Sequence, residues 1–247
     1  MSATTEAPVA LVTGAGQRIG TAIARHLHQA GYRIAVHYRR SAASARQLAA
    51  ELEAARPASS LLLQADLADI EAVPARVQAV IDGFGRLDLL VNNASAFYPT
   101  PLGQISETAW DDLFAANAKA PLFLAQAAAP WLKASRGSIV NLTDIYAERG
   151  LADHPVYVMA KAALVAMTRT LAIDLAPEVR VNAVAPGAIL WPQQDPGAQQ
   201  QAIMARTPLG RTGEPADIAS AVLWLAAGAP YVSGQILAID GGRSVNI

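Results

Sequence analysis

Two kinds of apolar pattern alternate along the chain. Short β-branched runs, such as VALVTG (9–14) and RIAVHY (33–38), are typical of strands that are buried on both faces. Ala- and Leu-rich stretches with apolar residues three and four positions apart are typical of helices that cover such strands. The predicted strands span 9–14, 33–38, 60–67, 86–94, 137–142, 179–187 and 234–242. The predicted helices span 18–31, 41–55, 70–83, 106–134, 156–176 and 215–226.

Strict alternation of strands and helices predicts an α/β fold, in which helices cover both faces of a doubly wound, seven-stranded parallel sheet. No linker, internal repeat or low-complexity block divides the chain, so we expect one domain over residues 1–247, with a flexible start over 1–7. The segment 188–212 is the least regular, because turn residues surround a short helical piece. It is either a mobile flap over a binding site, which we favour, or a long surface connection.

Composition narrows the classes of protein that the chain can be. Of its 247 residues, 53% are hydrophobic and 16% are charged, which is enough apolar material for a large core. No apolar run approaches the roughly 20 residues of a membrane span, and the opening MSATTEAP lacks a signal-peptide pattern, so we expect a cytoplasmic protein without membrane contact. The absence of cysteine excludes disulfides and thiolate chemistry. The four histidines have no metal-ligand spacing and the net charge is −1, so we expect neither a metal nor a nucleic-acid partner.

The stretch TGAGQRIG (13–20) joins the first strand to the first helix. Its glycines would let the backbone pass close to a pyrophosphate, which the N-terminus of the helix attracts. Glycine-rich turns also occur for packing alone, so the end of the second strand is needed to distinguish a cofactor site from a packing role. That strand ends in HYRRS (37–41), with two arginines where a cofactor with a free ribose 2′-hydroxyl usually meets an acid. Arg39, Arg40 and Ser41 suit a 2′-phosphate instead, which predicts NADPH rather than NADH; the alternative is a solvated basic turn.

A second group of polar residues follows the middle strands, where open α/β sheets bind ligands. It consists of the loop NNASAFYPTP (92–101), Asn117, Asp144 and the pair Tyr157 and Lys161. The tyrosine and the lysine are four positions apart and share one face of a helix, so the cation can tune a phenolic proton donor whose reference pKa is about 10. Each of these residues alone also fits a structural role, and only the combination indicates catalysis.

Together the motifs TGxxxRIG, NNA, YxxxK, PG and DGG resemble those of the short-chain dehydrogenase/reductase family over almost the whole chain. The resemblance implies a single-domain Rossmann fold with strand order 3-2-1-4-5-6-7. It implies that Tyr157 is the general acid, that Lys161 lowers its pKa and holds the nicotinamide ribose, and that Asn117 supports a proton relay through water. It also implies a homotetramer that assembles through the helical segments 106–134 and 156–176.

Asp144 departs from the common pattern of this family, which has a serine at that place to donate to the substrate carbonyl. An ionised carboxylate cannot donate, and it opposes the negative charge of a forming alkoxide. Ordinary ketone reduction is therefore disfavoured. A C=N acceptor reverses the argument, because its nitrogen must take up a proton. The carboxylate can then orient the donor Tyr157, help to relay a proton, or bind ring N–H groups.

A narrower resemblance agrees with a nitrogen heterocycle as substrate. NNASAFYPTPL, HYRRS, Arg18 and the Asp–x12–Tyr–x3–Lys spacing resemble the pteridine reductases, and TDIYAERGLADHPVY with the ending DGGRS is similar to the bacterial dihydromonapterin reductases. The resemblance implies that a pterin lies between the nicotinamide and Phe97. It also implies that Ser95 bonds the pterin and the cofactor phosphates, and that Arg18 bridges the pyrophosphate and the pterin edge.

These inferences define two overlapping sets of site residues. The cofactor set is Gly14, Gly16, Arg18, Ile19, Gly20, His37, Tyr38, Arg39, Arg40, Ser41, Asp66, Leu67, Asn93, Ala94, Ser95, Lys161, Pro186 and Gly187. The substrate set is Arg18, Ser95, Phe97, Asp144, Tyr157 and Trp191. Three structural alternatives stay open: Asp66 could equally cap a helix, Phe97 could plug the core under its loop, and Trp191 could be structural. Tyr146 and His154 are further candidates to line the pocket, with structural roles equally open.

The predicted function is the NADPH-dependent reduction of a dihydropterin (dihydromonapterin, dihydrobiopterin or dihydrofolate) to its tetrahydro form, by hydride transfer to a C=N bond. A carbonyl reductase of the 3-oxoacyl type is the first alternative, which Asp144 opposes. An NADPH-sensing regulator that has lost catalysis is the second, which the intact set of Asn117, Tyr157 and Lys161 opposes.

Overall fold

In a computed structural model of the chain, residues 7–189 and 198–246 are described, without the side chains of 198–200. The strands are β1 (Val9–Val12), β2 (Arg33–Tyr38), β3 (Ser60–Gln64), β4 (Leu89–Asn92), β5 (Ser138–Leu142), β6 (Arg180–Pro186) and β7 (Ile236–Ile239). The helices are α1 (Arg18–Gln29), α2 (Ala42–Ala55), α3 (Val73–Phe84), α4 (Glu107–Phe114), α5 (Ala120–Ser135), α6 (Pro155–Asp174), α7 (Ala198–Ala205) and α8 (Pro215–Leu223). Residues 1–6 of the predicted flexible start and residues 190–197 of the predicted flap lie outside the described residues.

The seven strands form one parallel sheet in the order β3-β2-β1-β4-β5-β6-β7, which confirms the predicted topology. The chain adds strands in one direction from β1 to β3, and then in the other direction from β4 to β7. At the centre, Leu11 of β1 lies in register with Ala35 of β2 on one side and Leu90 of β4 on the other. The connections after β1 and β4 leave the sheet in opposite directions, so a crevice for ligands opens between them.

Alternate residues of each strand enter two different cores, as expected for a sheet that is covered on both sides. Ala10 and Val12 of β1 pack in the core that contains Ile23 of α1, together with residues of α2 and α8. Leu11 packs in the other core, which contains Leu124 of α5 and residues of α3. Full burial of a leucine or isoleucine side chain stabilises the fold by about 1.5–3 kcal/mol, so these two layers fix the sheet that positions the loops at its edge.

Several predicted strands end earlier than their apolar runs do, because polar turns begin there. β1 ends at Val12 rather than at Gly14, since Gly14 adopts a left-handed φ of 63° in the turn that leads to α1. β7 ends at Ile239 rather than at residue 242, since the Asp240 carboxylate accepts backbone N–H groups and closes a turn. The glycine and aspartate positions therefore mark the true ends of the strands.

The long helical region predicted over 106–134 is confirmed as an unbroken helical stretch over 107–135, but its helix type changes in the middle. α4 begins where the Ser106 side chain accepts a backbone N–H of the first turn, and it passes into a π-helical segment over Ala115–Lys119 before α5 begins. A π-helical turn widens the backbone locally and is frequent at functional sites. Asn117, one of the predicted catalytic residues, lies in this segment. Trp224–Gly228 forms a second π-helical segment after α8.

α6 is long and apolar enough to cross a membrane by length and composition alone. In the fold it is a core helix, since Val156, Ala160 and Leu164 are buried and the helix packs against β6. It also carries Tyr157 and Lys161 on one face, as their spacing predicts. The apolar character of α6 is therefore explained by the core.

Candidate active site

A cleft of about 940 Å³ runs along the carboxyl edge of the sheet. The loops after the strands form its walls, because parallel strands all end at one edge. The predicted residues that line it are Gly14, Arg18, Ile19, Gly20, His37, Arg39, Arg40, Ser41, Asp66, Leu67, Asn93, Ala94, Ser95, Phe97, Asp144, Tyr157, Lys161, Pro186 and Gly187. The further candidates Tyr146 and His154 line it as well. Small-molecule and cofactor sites have volumes of about 300–1,000 Å³, so the cleft is large enough for both a cofactor and part of a substrate.

Three predicted site residues do not line this cleft. Gly16 serves packing, since a Cβ there would lie 2.5 Å from the Ser41 hydroxyl, and glycine lets the turn after β1 approach the start of α2. Tyr38 is 5% exposed and belongs to the core. Asn117 is fully buried. Trp191 lies outside the described residues, so its place in the site stays a prediction.

The turn between β1 and α1 is a compact backbone cradle. Gly14 has a left-handed φ of 63°, and a Cβ on Gly20 would collide with the Gly14 carbonyl oxygen. The Asn93 side chain donates to the carbonyl oxygens of Thr13 (2.8 Å) and Gly14 (3.2 Å), which ties the turn to the end of β4. α1 begins at Arg18, directly after the turn. Close backbone at the N-terminus of a helix fits the pyrophosphate of a dinucleotide.

His37, near the end of β2, holds this turn from its other side. Its Nδ1 accepts a hydrogen bond from the Gly14 N–H (3.1 Å), and its Nε2 donates to the carbonyl oxygen of Ala65 (3.2 Å). These partners assign a neutral ring with its proton on Nε2. Burial lowers the pKa of His37 to about 4, so the ring stays neutral near pH 7. His37 therefore supports the cradle as well as lining the cleft.

Arg39, Arg40 and Ser41 form the wall of the cleft after β2. Arg39 Nη1 lies 3.8 Å from Asp66 Oδ1, and both side chains are about half exposed (43% and 52%), so this ion pair is weak. Asp66 also accepts the backbone N–H of Ala68 (3.1 Å) in the turn after β3; it does not cap α3, which begins at Val73 with Ala72 as its N-cap. Arg40 forms no ion pair with any described residue. A phosphate can therefore bind both arginines without breaking a strong internal contact.

Asp144 lies after β5, and its two carboxylate oxygens have different partners. Oδ1 accepts the backbone N–H of Tyr146 (2.9 Å), and Oδ2 accepts the hydroxyl of Tyr157 (2.7 Å). The first bond caps a short 3₁₀ turn, Ile145–Ala147, and fixes the orientation of the carboxylate. The second bond joins the unusual acid of the sequence directly to the predicted proton donor.

Lys161 is buried at 3% exposure on the same face of α6 as the phenol. Its Nζ donates to the carbonyl oxygen of Leu142 (2.8 Å) and lies 5.8 Å from the centre of the Tyr157 ring. Burial lowers the pKa of Lys161 to about 8, while the charge of Asp144 acts in the opposite direction. The lysine is therefore close enough to act on the phenol through its charge, without a direct hydrogen bond to it.

The contact between Tyr157 and Asp144 changes the expected electrostatics. Burial and the neighbouring Asp144 charge raise the pKa of Tyr157, and burial also raises the pKa of Asp144. The pKa of Tyr157 is therefore raised overall rather than lowered as expected, because burial and a carboxylate at 2.7 Å oppose ionisation of the phenol. The phenol is held in its protonated form, and the carboxyl group takes up a proton more readily than a free aspartate does.

Asn117 supports the loop after β4 through all of its side-chain polar atoms. Its Oδ1 accepts the Ser95 hydroxyl (2.6 Å), and its Nδ2 donates to the carbonyl oxygens of Ala96 (2.9 Å) and Leu113 (2.9 Å). The π-helical segment places the side chain between that loop and α4. The geometry gives Asn117 a positioning role for Ser95, and its support of a water relay stays a prediction.

Phe97 is 58% exposed, so the alternative of a core plug is wrong. The imidazole of His154 stacks on its ring, with centroids 4.7 Å apart and planes 9° apart. The Tyr157 ring meets it edge-on, at 4.8 Å and 80°. These three residues form an aromatic wall beside the proton donor, and the exposed part of Phe97 is available to a flat ligand.

Arg243, which belongs to the ending DGGRS but to neither set of predicted site residues, lines the cleft after β7. Its Nη2 donates to the hydroxyl of Tyr146 (2.7 Å), and its guanidinium carbon lies 5.6 Å from the centre of that ring. The other lining residues that sequence reasoning missed are Gln17, Ala68, Ala96, Asp112, Ala115, Ala116, Leu142, Thr143, Leu151, Ala188, Ile189 and Ile203. Most of these flank a motif residue and could have been found from that position, whereas Asp112 and Ile203 had no such signal.

Comparison with known proteins places this site in context. A family model described as Enoyl-(Acyl carrier protein) reductase matches residues 14–244. The chain is 38% identical to pteridine reductase 1 of Leishmania tarentolae, over 99% of both chains. It is 36% identical to the 3-oxoacyl-(acyl-carrier-protein) reductases of Staphylococcus aureus strain Mu50 and Staphylococcus epidermidis strain ATCC 12228, over 94% of this chain and 96% and 97% of theirs. The two identities are nearly equal, so identity does not separate the two kinds of substrate.

Proposed function

Since the chain belongs to the short-chain dehydrogenase/reductase family, whose members use NAD(P)H, we propose that it is an NADPH-dependent pteridine reductase. Its substrates would be dihydropterins such as dihydromonapterin, dihydrobiopterin and dihydrofolate, and its products the tetrahydropterins. The observation that carries the proposal is the 2.7 Å hydrogen bond from Tyr157 to Asp144. Asp144 occupies the position where the common pattern of the family has a serine.

Reduction of a C=N bond adds a hydride to carbon and a proton to nitrogen. When bound, the nicotinamide of NADPH supplies the hydride. Tyr157 supplies the proton, since its raised pKa keeps the phenol protonated until a nitrogen that becomes basic on reduction can accept it. Lys161, whose pKa of about 8 leaves it largely cationic at pH 7, stabilises the phenolate that forms, and the phenolate recovers its proton from solvent.

Asp144 accepts hydrogen bonds, which suits a heterocycle that carries N–H groups. A ring N–H bound to Oδ2 would take the place of the Tyr157 hydroxyl, which is then free to point at the substrate nitrogen. The bond from the Tyr146 N–H to Oδ1 keeps the carboxylate in place during this exchange. A forming alkoxide at the same position would meet a carboxylate instead of a donor, which opposes ketone reduction.

The aromatic wall supports a flat substrate. A pterin stacked on Phe97 would gain ~0.5–1.5 kcal/mol beyond its area burial, by analogy with aromatic pairs. We assign Ser95, held by Asn117, to hydrogen bonds with the pterin and the cofactor phosphates. We assign Arg18 to the bridge between the pyrophosphate and the pterin edge; its backbone has a left-handed φ of 53°, a strain that functional sites tolerate.

The other end of the cleft supports NADPH over NADH. Arg39, Arg40 and Ser41 supply two cations and a hydroxyl for a 2′-phosphate, and no acid follows β2 directly. We assign Asp66 and Leu67 to the adenine, on the opposite wall after β3. We assign the pyrophosphate to the glycine-rich cradle between β1 and α1, where Gly14 and Gly20 let the backbone pack closely.

A 3-oxoacyl reductase is the second candidate, and one observation favours it. Burial raises the pKa of Asp144, and a protonated Asp144 could donate to a ketone oxygen as a serine does. The 36% identity with 3-oxoacyl reductases agrees with this candidate. The two functions need different protonation states of Asp144. Pterin reduction uses the carboxylate, which accepts hydrogen bonds, whereas ketone reduction would need the protonated acid, which donates one.

Initial rates of NADPH oxidation decide between the two candidates. Purified protein is offered dihydrobiopterin, dihydromonapterin, dihydrofolate and acetoacetyl-CoA, and we expect turnover of dihydropterins with little of the thioester. Asp144→Ser should lower pterin reduction by tenfold or more, because a neutral hydroxyl is a weaker acceptor than a carboxylate for Tyr157 and the ring N–H groups. Asp82→Ser, at an exposed position on α3, is the matched control and should keep the wild-type rate.

Robust reduction of acetoacetyl-CoA with none of any pterin would overturn the proposal in favour of a 3-oxoacyl reductase. NADPH binding without its oxidation by any of the acceptors would instead indicate a regulator that has lost catalysis. Full pterin activity of Asp144→Ser would show that the carboxylate is not the group that selects the substrate.

We also propose a homotetramer that assembles through α4, α5 and α6. Large apolar side chains on these helices are exposed in the single chain: Trp110 (41%), Leu122 (42%), Met159 (41%) and Ile173 (77%). Burial between copies would stabilise the assembly by roughly 25 cal/mol per Å² of apolar surface. Light scattering on the purified protein measures the assembly, and a monomer at micromolar concentration would contradict it.

A further inference from the structure

We propose that Arg243 forms a subsite for an anionic group on the substrate, a carboxylate or a phosphate, at the end of the cleft away from Arg39 and Arg40. The inference rests on the proposed function, because it concerns the part of a pterin substrate that extends beyond the reacting ring.

The fold directs Arg243 into the cleft through a defined turn. β7 ends at Ile239, and the Asp240 carboxylate then accepts the backbone N–H groups of Gly242 (2.9 Å) and Ser244 (2.6 Å). Gly242, the residue before Arg243, has a left-handed φ of 85° that glycine adopts without strain. The chain thus reverses after β7, and the Arg243 side chain lines the cleft.

Arg243 has no acidic partner within the described part of the chain. Within the described residues, its side chain donates one hydrogen bond, to the hydroxyl of Tyr146. The two acids in its surroundings are engaged elsewhere: Asp240 by the N–H groups of its own turn, and Asp144 by Tyr157 and the Tyr146 N–H. A guanidinium has five N–H donors, so most of those on Arg243 are left for a ligand.

The contact of Arg243 with Tyr146, which follows β5, places its side chain toward the substrate end of the cleft. The pyrophosphate cradle follows β1, and Arg243 follows β7 at the edge of the sheet. Arg243 is instead a neighbour of Tyr146 and of the Asp144–Tyr157 pair, so its charge serves the substrate end.

The chemistry of the residue indicates the class of group that it recognises. The Tyr146 ring and hydroxyl hold the guanidinium, with its carbon 5.6 Å from the ring centre. A guanidinium held in one orientation matches the two oxygens of a carboxylate or a phosphate. A neutral pterin side chain has no group that needs this charge. The subsite would therefore favour pterins that carry an acidic tail over those that do not.

The test compares KM values for matched substrates on the NADPH-bound enzyme. Dihydrofolate carries carboxylates, dihydroneopterin phosphate carries a phosphate, and dihydrobiopterin is neutral. For Arg243→Gln we expect the ratio of the anionic to the neutral KM to rise about tenfold, and for Arg243→Lys to rise less. A larger effect on dihydrofolate would assign the subsite to carboxylates, and a larger effect on the phosphate ester would assign it to phosphates.

A purely structural role of Arg243, through Tyr146 and Asp144, would change the KM values of all three substrates by the same factor and leave their ratio constant, which would overturn the inference. Salt gives a second readout on the wild type alone: the KM ratio should rise with ionic strength, because screening weakens a charge contact. A ratio unaffected by both salt and substitution, in an enzyme that reduces dihydrobiopterin, would remove the subsite and leave the proposed function intact. If the wild type reduces no pterin, the proposed function fails, and the subsite fails with it.

Discussion

Acidification should loosen the cradle between β1 and α1, because a histidine supports it. The neutral ring of His37 accepts the Gly14 N–H at Nδ1 and donates to the Ala65 carbonyl oxygen from Nε2. Protonation would add a proton to Nδ1, so that both ring nitrogens carry an N–H and the new one faces the N–H of Gly14. The hydrogen bond would be lost, and a charge would be buried at a position that is 2% exposed.

The size of the effect follows from the two pKa values. The pKa of His37 is about 4 in the folded chain, because of burial, against 6.5 in the unfolded chain. A folded pKa below the unfolded one means that the unfolded chain takes the proton first. The contribution to stability is then complete above pH 6.5 and is lost as the pH falls toward 4. Linkage predicts a loss of about 2 kcal/mol between pH 7.5 and pH 5, and about 3 kcal/mol at the limit.

Urea unfolding, followed by tryptophan fluorescence at pH 7.5, 6.5, 5.5 and 5.0, measures this loss in the wild type and in His37→Gln. Glutamine can accept and donate as the neutral ring does, but it does not titrate in this range. The free energy of unfolding of His37→Gln should therefore fall by about 2 kcal/mol less than that of the wild type between pH 7.5 and pH 5. His26→Gln, a change on α1 outside the cleft, is the matched control and should keep the slope of the wild type.

Affinity for NADPH gives a second readout, since the cradle is the proposed pyrophosphate site. The Kd of the wild type should rise from pH 7.5 to pH 5 more than that of His37→Gln. The reasoning would be refuted if both proteins lost the same free energy of unfolding over this range, since the titrating group would then be another one.

The catalytic and binding assignments make three further predictions. Tyr157→Phe should lower kcat at least 100-fold, as expected for loss of a general acid, with little change in the Kd of NADPH; unchanged turnover would refute the assignment. Alanine at Arg39 and Arg40 should raise the Kd of NADPH roughly 10–100-fold for each charged hydrogen bond that is lost, and an equal loss for NADH would count against a 2′-phosphate site. Asn117→Ala should lower the free energy of unfolding by at least about 2 kcal/mol, because the carbonyl groups of Ala96 and Leu113 lose their donor; a thermal midpoint equal to that of the wild type would contradict this role.

The sheet could be predicted well from the sequence, because burial on both faces produces apolar runs that are easy to recognise. The order of the strands needed the family resemblance, since periodicity carries no information about neighbours in a sheet. The exact ends of β1 and β7 could not be predicted from the apolar runs alone. The left-handed conformation of Gly14 and the turn at Asp240 determine where strand pairing stops. Helical periodicity also could not show the π-helical segment around Asn117, because one wider turn barely shifts the pattern of apolar positions.

The site divides in a similar way. Most motif residues could be placed at the cleft because they follow a strand, and all parallel strands end at one edge. Arg243 was missed because its position depends on a turn that brings the end of the chain back over the sheet. The exposure of Phe97 and its stacking on His154 are likewise properties of tertiary packing. The sign of the Tyr157 pKa shift was wrong because the spacing to Lys161 is local, whereas the contact with Asp144 is not.

The raised pKa of Tyr157 shows how Asp144, the aspartate after β5, affects the proton donor. A phenol beside a cation alone would ionise more easily and would give its proton to a weakly basic oxygen. The phenol of Tyr157 is instead bonded to Asp144, and burial and that charge raise its pKa, so it gives up its proton only to a stronger base. Hydride transfer to a ketone builds an alkoxide, whose growing negative charge meets the carboxylate. An imine nitrogen becomes basic as the hydride arrives, and the N–H groups of its ring stabilise the same carboxylate. In the proposed function, Asp144 disfavours the negative oxygen of a reduced ketone and accepts the N–H groups of a heterocycle, which is the physical reason for expecting nitrogen at the reduced bond.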